Sequence, residues 1–224
     1  NVAAVLVIFV IAMFMYASGA FKYPYLEDDD PWSHAVGAKY VSVAKTVRDS
    51  PYLNFQYMDP YPPSYDMLFG ILHQTSSSLN WTIKFFNALI ISLSLVFFYF
   101  FAKEFMSDRN KALFATFVLA SVPAYLSHFI WAPALAMAVF FPAMYAFEMI
   151  KHDSKWKFVA AFCFAAILLS QPTHAIKLTV LVLIYVAVKL IFAAAIYKKH
   201  FLAKTSPCLF ALFSGALISL FWWG

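Results

Sequence analysis

The stretch Leu26-Glu27-Asp28-Asp29-Asp30-Pro31-Trp32-Ser33-His34 holds the chain's densest set of groups that could do chemistry. Four consecutive carboxylates repel one another, and beside a membrane such a run is costly unless a cation, a basic ligand or water screens it. The oxygens could hold a divalent cation, or supply a general base that takes a proton from an acceptor. A plainer role is equally open. Asp30 before Pro31 makes a good helix start, with a carboxylate at the N-cap and proline at the first helical position, leaving the other three acids solvated. Among the histidines, His34, His73, His128 and His174 fall on one side of the chain's apolar segments. His128 and His174 sit at segment ends, where an imidazole can bind phosphate or metal or simply pack. Lys177, one turn from His174, could pair with a phosphate at the membrane surface or snorkel there.

The elements that must position these groups are membrane elements. The chain is 63% hydrophobic and 12% charged, far from the soluble average. Its long apolar runs approach the ~20 residues that a helix needs to cross the hydrocarbon. The formal charge of +5 resides mostly in short loops, which reads as topology charge and excludes nucleic acid as a partner. Cys163 and Cys208 lie inside apolar segments, without metal spacing, and predict neither a disulfide nor a zinc site. A Gly-rich phosphate loop, a serine nucleophile elbow and a zinc-protease motif are all missing from the sequence.

Seven crossings are expected: Asn1 to Ala20, Ile83 to Ala102, Lys111 to His128, Ala132 to Ile150, Lys157 to Ser170, Leu178 to Tyr197 and Pro207 to Trp223. Loops carrying Lys103, Arg109 and Lys111, then Lys151, Lys155 and Lys157, then Lys198, Lys199 and Lys204, alternate with nearly uncharged ones only if Pro62 to Leu79 does not cross. That arrangement puts the N-terminus in the cytoplasm and leaves residues 21–82 as a long, net-acidic external loop. Within it a helix is expected after Asp30, with Val36, Tyr40, Val43 and Val47 as an apolar stripe on the membrane surface. A second interfacial helix is expected over Ser64 to Leu79. Lys189, deeper in its crossing, is expected to snorkel toward the cytoplasm. One outward-facing cavity is expected to join the acidic run to His128 and His174. The chain starts inside an apolar run and stops at Phe221-Trp222-Trp223-Gly224, so it reads as one membrane domain, residues 1–224, cut from a longer protein.

An acidic run ending in Asp-Pro-Trp, soon after the first crossing and opening an amphipathic helix, resembles the catalytic subunit of oligosaccharyltransferase, within the GT-C superfamily of membrane glycosyltransferases. Tyr61-Pro62-Pro63-Ser64-Tyr65, Ala102-Lys103-Glu104-Phe105, Ser127-His128-Phe129-Ile130 and Gln171-Pro172-Thr173-His174 fall at places comparable to those in that family. The resemblance implies an all-α integral membrane bundle of GT-C type and an enzyme moving a glycan from a polyprenyl diphosphate donor to an acceptor, foremost protein Asn. The active site would lie on the external or lumenal face of a plasma or ER-type membrane. Asp30 would bind the divalent cation, Mn or Mg, and activate the acceptor, with Asp28 and Asp29 assisting, while His174, Lys177 and His128 would meet the donor phosphate. The chain departs from the pattern in two ways. Ile130-Trp131-Ala132-Pro133 has no carboxylate where the family places further metal ligands, and the soluble domain with a Trp-Trp-Asp signature is absent from these residues. Two alternatives follow: a metal-independent GT-C transferase using a polyprenyl phosphate monosaccharide, and a membrane transporter or scaffold without catalysis. Prolines at Pro123 and Pro142 would suit a transporter, but no internal repeat accompanies them.

Overall fold

A computed structural model describes residues 2–47, 61–122, 130–197 and 201–223. Among these the chain is helical without strands, in the order α1 (Val2–Ala20), α2 (Asp29–Ala44), α3 (Ser64–His73), α4 (Leu79–Met106), α5 (Arg109–Ala120), α6 (Ala132–Met149), α7 (Trp156–Leu168), α8 (Pro172–Tyr197) and α9 (Phe201–Trp223). Helix boundaries follow local chemistry. Ser78 opens α4 by accepting the Trp81 N–H (3.3 Å), and Asp108 opens α5 by accepting those of Asn110 and Lys111 (2.8 and 3.1 Å). Those backbone bonds, Lys111 first, hold the Asp108 carboxyl below the usual carboxylate range.

Contacts between helix ends define the topology. Val5 of α1 packs with Tyr99, Ala102 and Ala112 at one end of the bundle. Ala12 and Tyr16 meet Ala88, Ile91 and Leu95 midway, and Ala20 reaches Lys84 and Ile130 at the other end. So α1 and α4 run antiparallel. The start of α6 joins the start of α4, with Ile83, Ile130, Ala132 and Leu135 in one core. Just past its other end, Lys151 and His152 meet Glu104 at 3.5 and 2.9 Å. Helices α4 and α6 are therefore parallel.

The remaining helices alternate in the same way. After α7, Leu169 accepts both the backbone N–H and the hydroxyl of Ser64 at the start of α3 (3.1 and 2.8 Å). Early in α8, His174 stands beside Trp131, and later Lys189 donates to the Phe147 carbonyl (3.1 Å). Trp223, at the end of α9, donates its indole N–H to Leu168 (3.3 Å). The bundle thus has a loop end, where α2 and α3 sit, and a basic end.

Five helices, α1, α4, α6, α8 and α9, are long and apolar enough to cross a membrane. Helix α7 is apolar but has 13 residues, and α5 has 12. At 1.5 Å per residue they extend about 20 and 18 Å, short of a ~30 Å hydrocarbon core. The rest of the expected crossing to His128 lies outside the described residues, as does Pro123. Several expected boundaries move: α8 begins six residues before Leu178 and α9 six before Pro207, while α3 ends at His73 rather than Leu79. Gln74 to Ser77 form the turn that frees Ser78 to cap α4. Both cysteines are free.

The expected helix after Asp30 is present, but its docked face differs from the expected stripe. Val43 is 70% exposed, and the buried residues are Pro31, His34, Ala35, Gly37, Ala38 and Val41. Close helix approach selects small residues, which a count of large apolar side chains overlooks. A Cβ on Gly70 of α3 would lie 2.8 Å from the Ala38 carbonyl oxygen and 2.7 Å from the Val41 Cβ. The chain leaves α1 and enters α4 at the same end. Single cysteines replacing Ser77 and His152 should therefore react with an impermeant maleimide from opposite sides of sealed vesicles. Reaction of both from one side would break this topology.

Candidate functional site

The acidic run stands at the loop end, where α1 stops and α2 starts. Asp28, not Asp30, is the N-cap, its backbone extended and its carboxylate accepting the Asp29 N–H (2.7 Å). Asp29 and Asp30 form the first helical positions and Pro31 the third. Proline fits there because the first turn's N–H groups have no helical acceptor. Three carboxylates near the positive end of the helix dipole have their repulsion partly offset. Glu27, Asp28, Asp29 and Asp30 are all exposed, whereas Leu26 and Pro31 on either side are buried. Ala20, Tyr25, Leu26, Glu27, Asp28, Pro31, Lys84 and Ile130 line a shallow crevice here.

Behind the carboxylates lies the device that fixes α2. His34, 2% exposed, places Nδ1 2.7 Å from Asp66 Oδ1 of α3, and its Nε2 accepts the Ala132 N–H at the start of α6 (3.3 Å). A ring nitrogen that accepts an N–H carries no proton, so the proton sits on Nδ1 and is donated to Asp66. The same contact relieves the first turn of α6 of one orphan donor. Around this chain Tyr61 and Tyr65 pack against the imidazole, and Tyr65 donates its hydroxyl to Asn87 of α4 (3.2 Å). Burial, and then the Asp66 charge, raise the Tyr65 phenol well above its ordinary value and keep it a donor. Gly37 is required for the fit, since a Cβ there would lie 2.1 Å from Asp66 Oδ2. His73, at the end of α3, lies 3.4 Å from the Lys39 ammonium through Nε2. Burial and that neighbour lower it below the usual imidazole range.

Of the expected donor-site residues, His174 occupies the first turn of α8 at the loop end. Its backbone N–H and its Nδ1 both meet Gln171 Oε1, at 2.7 and 3.0 Å. The ring proton is thus held by Gln171, and Nε2 could donate to a phosphate only in the imidazolium form. Lys177 is exposed one turn on, and His128 lies outside the described residues. His174 is not a wall of the acidic crevice; it stands beside Trp131, its ring centre 6.2 Å from the indole. Trp131 precedes Ala132, the residue bonded to His34, so this backbone corner links the two groups that were expected to share one cavity.

The metal expected at Asp30 has little protein chemistry to hold it. Among the described residues no three His, Cys, Asp or Glu side chains gather as a metal would need, Asp28 caps the helix, and Ile130 to Pro133 supply no carboxylate. At the basic end, Lys189 does not simply snorkel: it meets Glu148 of α6 at 3.0 Å, as does Lys151 at 2.7 Å. Tyr185 also donates its hydroxyl to Glu148.

Sequence reasoning missed His34, Asp66, Lys84 and Glu148 as structural centres. Nothing local in the sequence pairs residue 34 with residue 66. No protein-family model matches the chain, and no curated protein or solved structure is significantly similar to it.

Replacing Asp66 with alanine would leave the His34 Nδ1–H buried without an acceptor, which costs about 1–3 kcal/mol. Gly37→Ala should cost a similar ~1–3 kcal/mol by overpacking against the same carboxylate. Thermal unfolding in detergent should show both, together with faster proteolysis between α1 and α4. Wild-type stability in both variants would remove the His34–Asp66 contact from this account.

Proposed function

We propose that the chain is the membrane module of a GT-C-type glycosyltransferase that crosses the bilayer seven times and works at its loop end, on the external or lumenal face. The observation that carries this reading is the exposed run Glu27 to Asp30. Glu27 and Asp28 line a crevice, and Asp29 and Asp30 follow in the first turn of a helix whose buried face is bonded to two other elements. Catalytic side chains gain from such rigid support, because effective concentration depends on holding reacting groups in geometry.

In the reaction, an acceptor nucleophile, foremost the side-chain nitrogen of protein Asn, attacks the anomeric carbon of a polyprenyl diphosphate-linked glycan. The new bond forms as the bond from that carbon to the phosphate oxygen breaks, and the lipid diphosphate leaves with the electron pair. The acceptor's proton passes to one of the carboxylates of Asp28, Asp29 and Asp30. Lys177 offers charge to the departing phosphate, and His174 stands one turn before it. Burial of α7 and α5 in a bilayer would require local thinning or flanking charges at their ends, both ordinary responses to short spans. The positive-inside distribution of lysine and arginine supports this orientation, with the N-terminus in the cytoplasm.

A second reading, metal-independent transfer of a single sugar from a polyprenyl phosphate, is favoured by the chemistry of Ile130 to Pro133. This stretch borders the crevice through Ile130 yet offers no oxygen ligand from its side chains.

Asp30→Asn is a clean test because Asp30 does not cap α2, so folding should be unchanged. With full-length protein and a polyprenyl diphosphate oligosaccharide, its turnover should fall by a factor on the order of ~10². Asn at position 28 keeps the cap, which makes the matching Asp28→Asn loss equally interpretable. Unaltered turnover in both variants would return these acids to a solvated helix start. Wild-type turnover that survives chelation of Mn²⁺ and Mg²⁺ would select the second reading.

A further inference from the structure

Lys84 is an uncommon residue for its place. It lies in the second turn of α4, 2% exposed, at the loop end of a helix long and apolar enough to span a membrane. An ammonium taken out of water needs strong compensation. Its compensation comes almost entirely from the segment that carries the acidic run. Lys84 Nζ donates to the carbonyl oxygens of Tyr23 (2.6 Å) and Tyr25 (2.8 Å) and stands 5.7 Å from the centre of the Phe21 ring. It also lines the crevice together with Glu27 and Asp28.

We infer that Lys84 is the positioning residue for the acidic segment, clamping residues 21–28 onto the start of α4 so that Glu27 and Asp28 line the crevice and Asp29 and Asp30 follow in the first turn of α2 beside it. Two physical facts give the clamp its function. Residues 21–28 form no regular helix, so without an external donor the Tyr23 and Tyr25 carbonyls have no fixed partner. Four like charges in a row also push the segment outward, and a buried cation against it opposes that push in a poorly screened setting. A lysine has three donors. Two are used on main-chain oxygens, so the segment is held whatever its side chains, while the charge acts on Glu27 and the crevice. Helix α2 is fixed at His34, one turn beyond Asp30, and Lys84 fixes the chain on the other side of the carboxylates. Fixing both sides restricts the acids to a narrow arc.

Its consequence for transfer rests on the glycosyltransferase reading; the clamp itself does not. The test uses full-length protein in lipid nanodiscs, bearing Lys84→Met, Lys84→Gln or Lys84→Arg. Amide hydrogen exchange over residues 21–28 is read by mass spectrometry, beside turnover with a polyprenyl diphosphate oligosaccharide and an Asn-containing peptide. Methionine and glutamine should raise exchange in that segment about tenfold, leave α3 and α6 protected, and lower kcat about tenfold with little change in donor KM. Arginine, which keeps charge and donors, should restore most of both. If the methionine variant does not accumulate, the glutamine variant carries the test alone. Unchanged exchange over residues 21–28 would overturn the clamp, and loosening of that segment in an active enzyme with kcat intact would overturn its positioning role in transfer. If the wild type transfers no sugar, the function reading fails while the exchange data alone still decide whether Lys84 holds the segment.

Discussion

The hydrogen-bonded chain from Asp66 through His34 to the Ala132 amide is the constraint on which the loop end depends. It joins three elements far apart in sequence, α2, α3 and the start of α6, with both ring nitrogens of one imidazole used. A buried carboxylate next to a membrane is tolerable only with such partners. Once the chain is made, α2 has one orientation, and the first turn of that helix has one place to present Asp28, Asp29 and Asp30.

Packing around the chain is set by the same requirement for closeness. For His34 to reach Asp66, α2 and α3 must approach through Gly37, Ala38 and Gly70, leaving Val43 and Trp32 exposed. The exposed apolar side chains then face whatever surrounds the loop end, which for a bundle of this composition is the lipid interface. At the other end, the Glu148 carboxylate ties α6 to α8 through Lys189 and Tyr185. Both ends of the bundle are thus locked by buried polar groups, while its middle is held by apolar contact. In a bilayer, where apolar surface gives helices little reason to prefer one another, polar contacts and small-residue packing carry much of the specificity.

That the loops at Lys103 to Lys111 and at Lys151 to Lys157 share one end of the bundle was legible in their charge, because lysine and arginine sort by side of a membrane. So was the return of residues 21–82 to the end they left. The apolar core of α3, only Met67 to Leu72 with polar flanks, is too short to cross. Less legible were contacts that join distant residues. The Asp30-Pro31 pair looked like a cap, yet Asp28 took the role because helical geometry begins two residues earlier and proline is equally at ease at the third position. The stripe of Val36, Tyr40, Val43 and Val47 was read for the membrane surface, and it leaves Val43 exposed; the face docked on α3 is made of small residues that a search for large apolar side chains passes over. Lys189 looked like a snorkelling lysine because its partner, Glu148, is 41 residues away. The resemblance to the oligosaccharyltransferase catalytic subunit rests on the acidic run and on the order of the segments. Among the described residues no three His, Cys, Asp or Glu side chains gather as a metal would need.

His34 sits between a donor and an acceptor, with its proton on Nδ1. Nitrogen-15 solid-state NMR of the protein in lipid, with labelled histidine and His34 assigned by substitution, reads the two ring nitrogens separately. This arrangement predicts one protonated nitrogen at Nδ1 and one bare nitrogen at Nε2, with the pattern lost in Asp66→Ala. A proton on Nε2 with Nδ1 bare would contradict it, because His34 could then neither donate to Asp66 nor accept from Ala132.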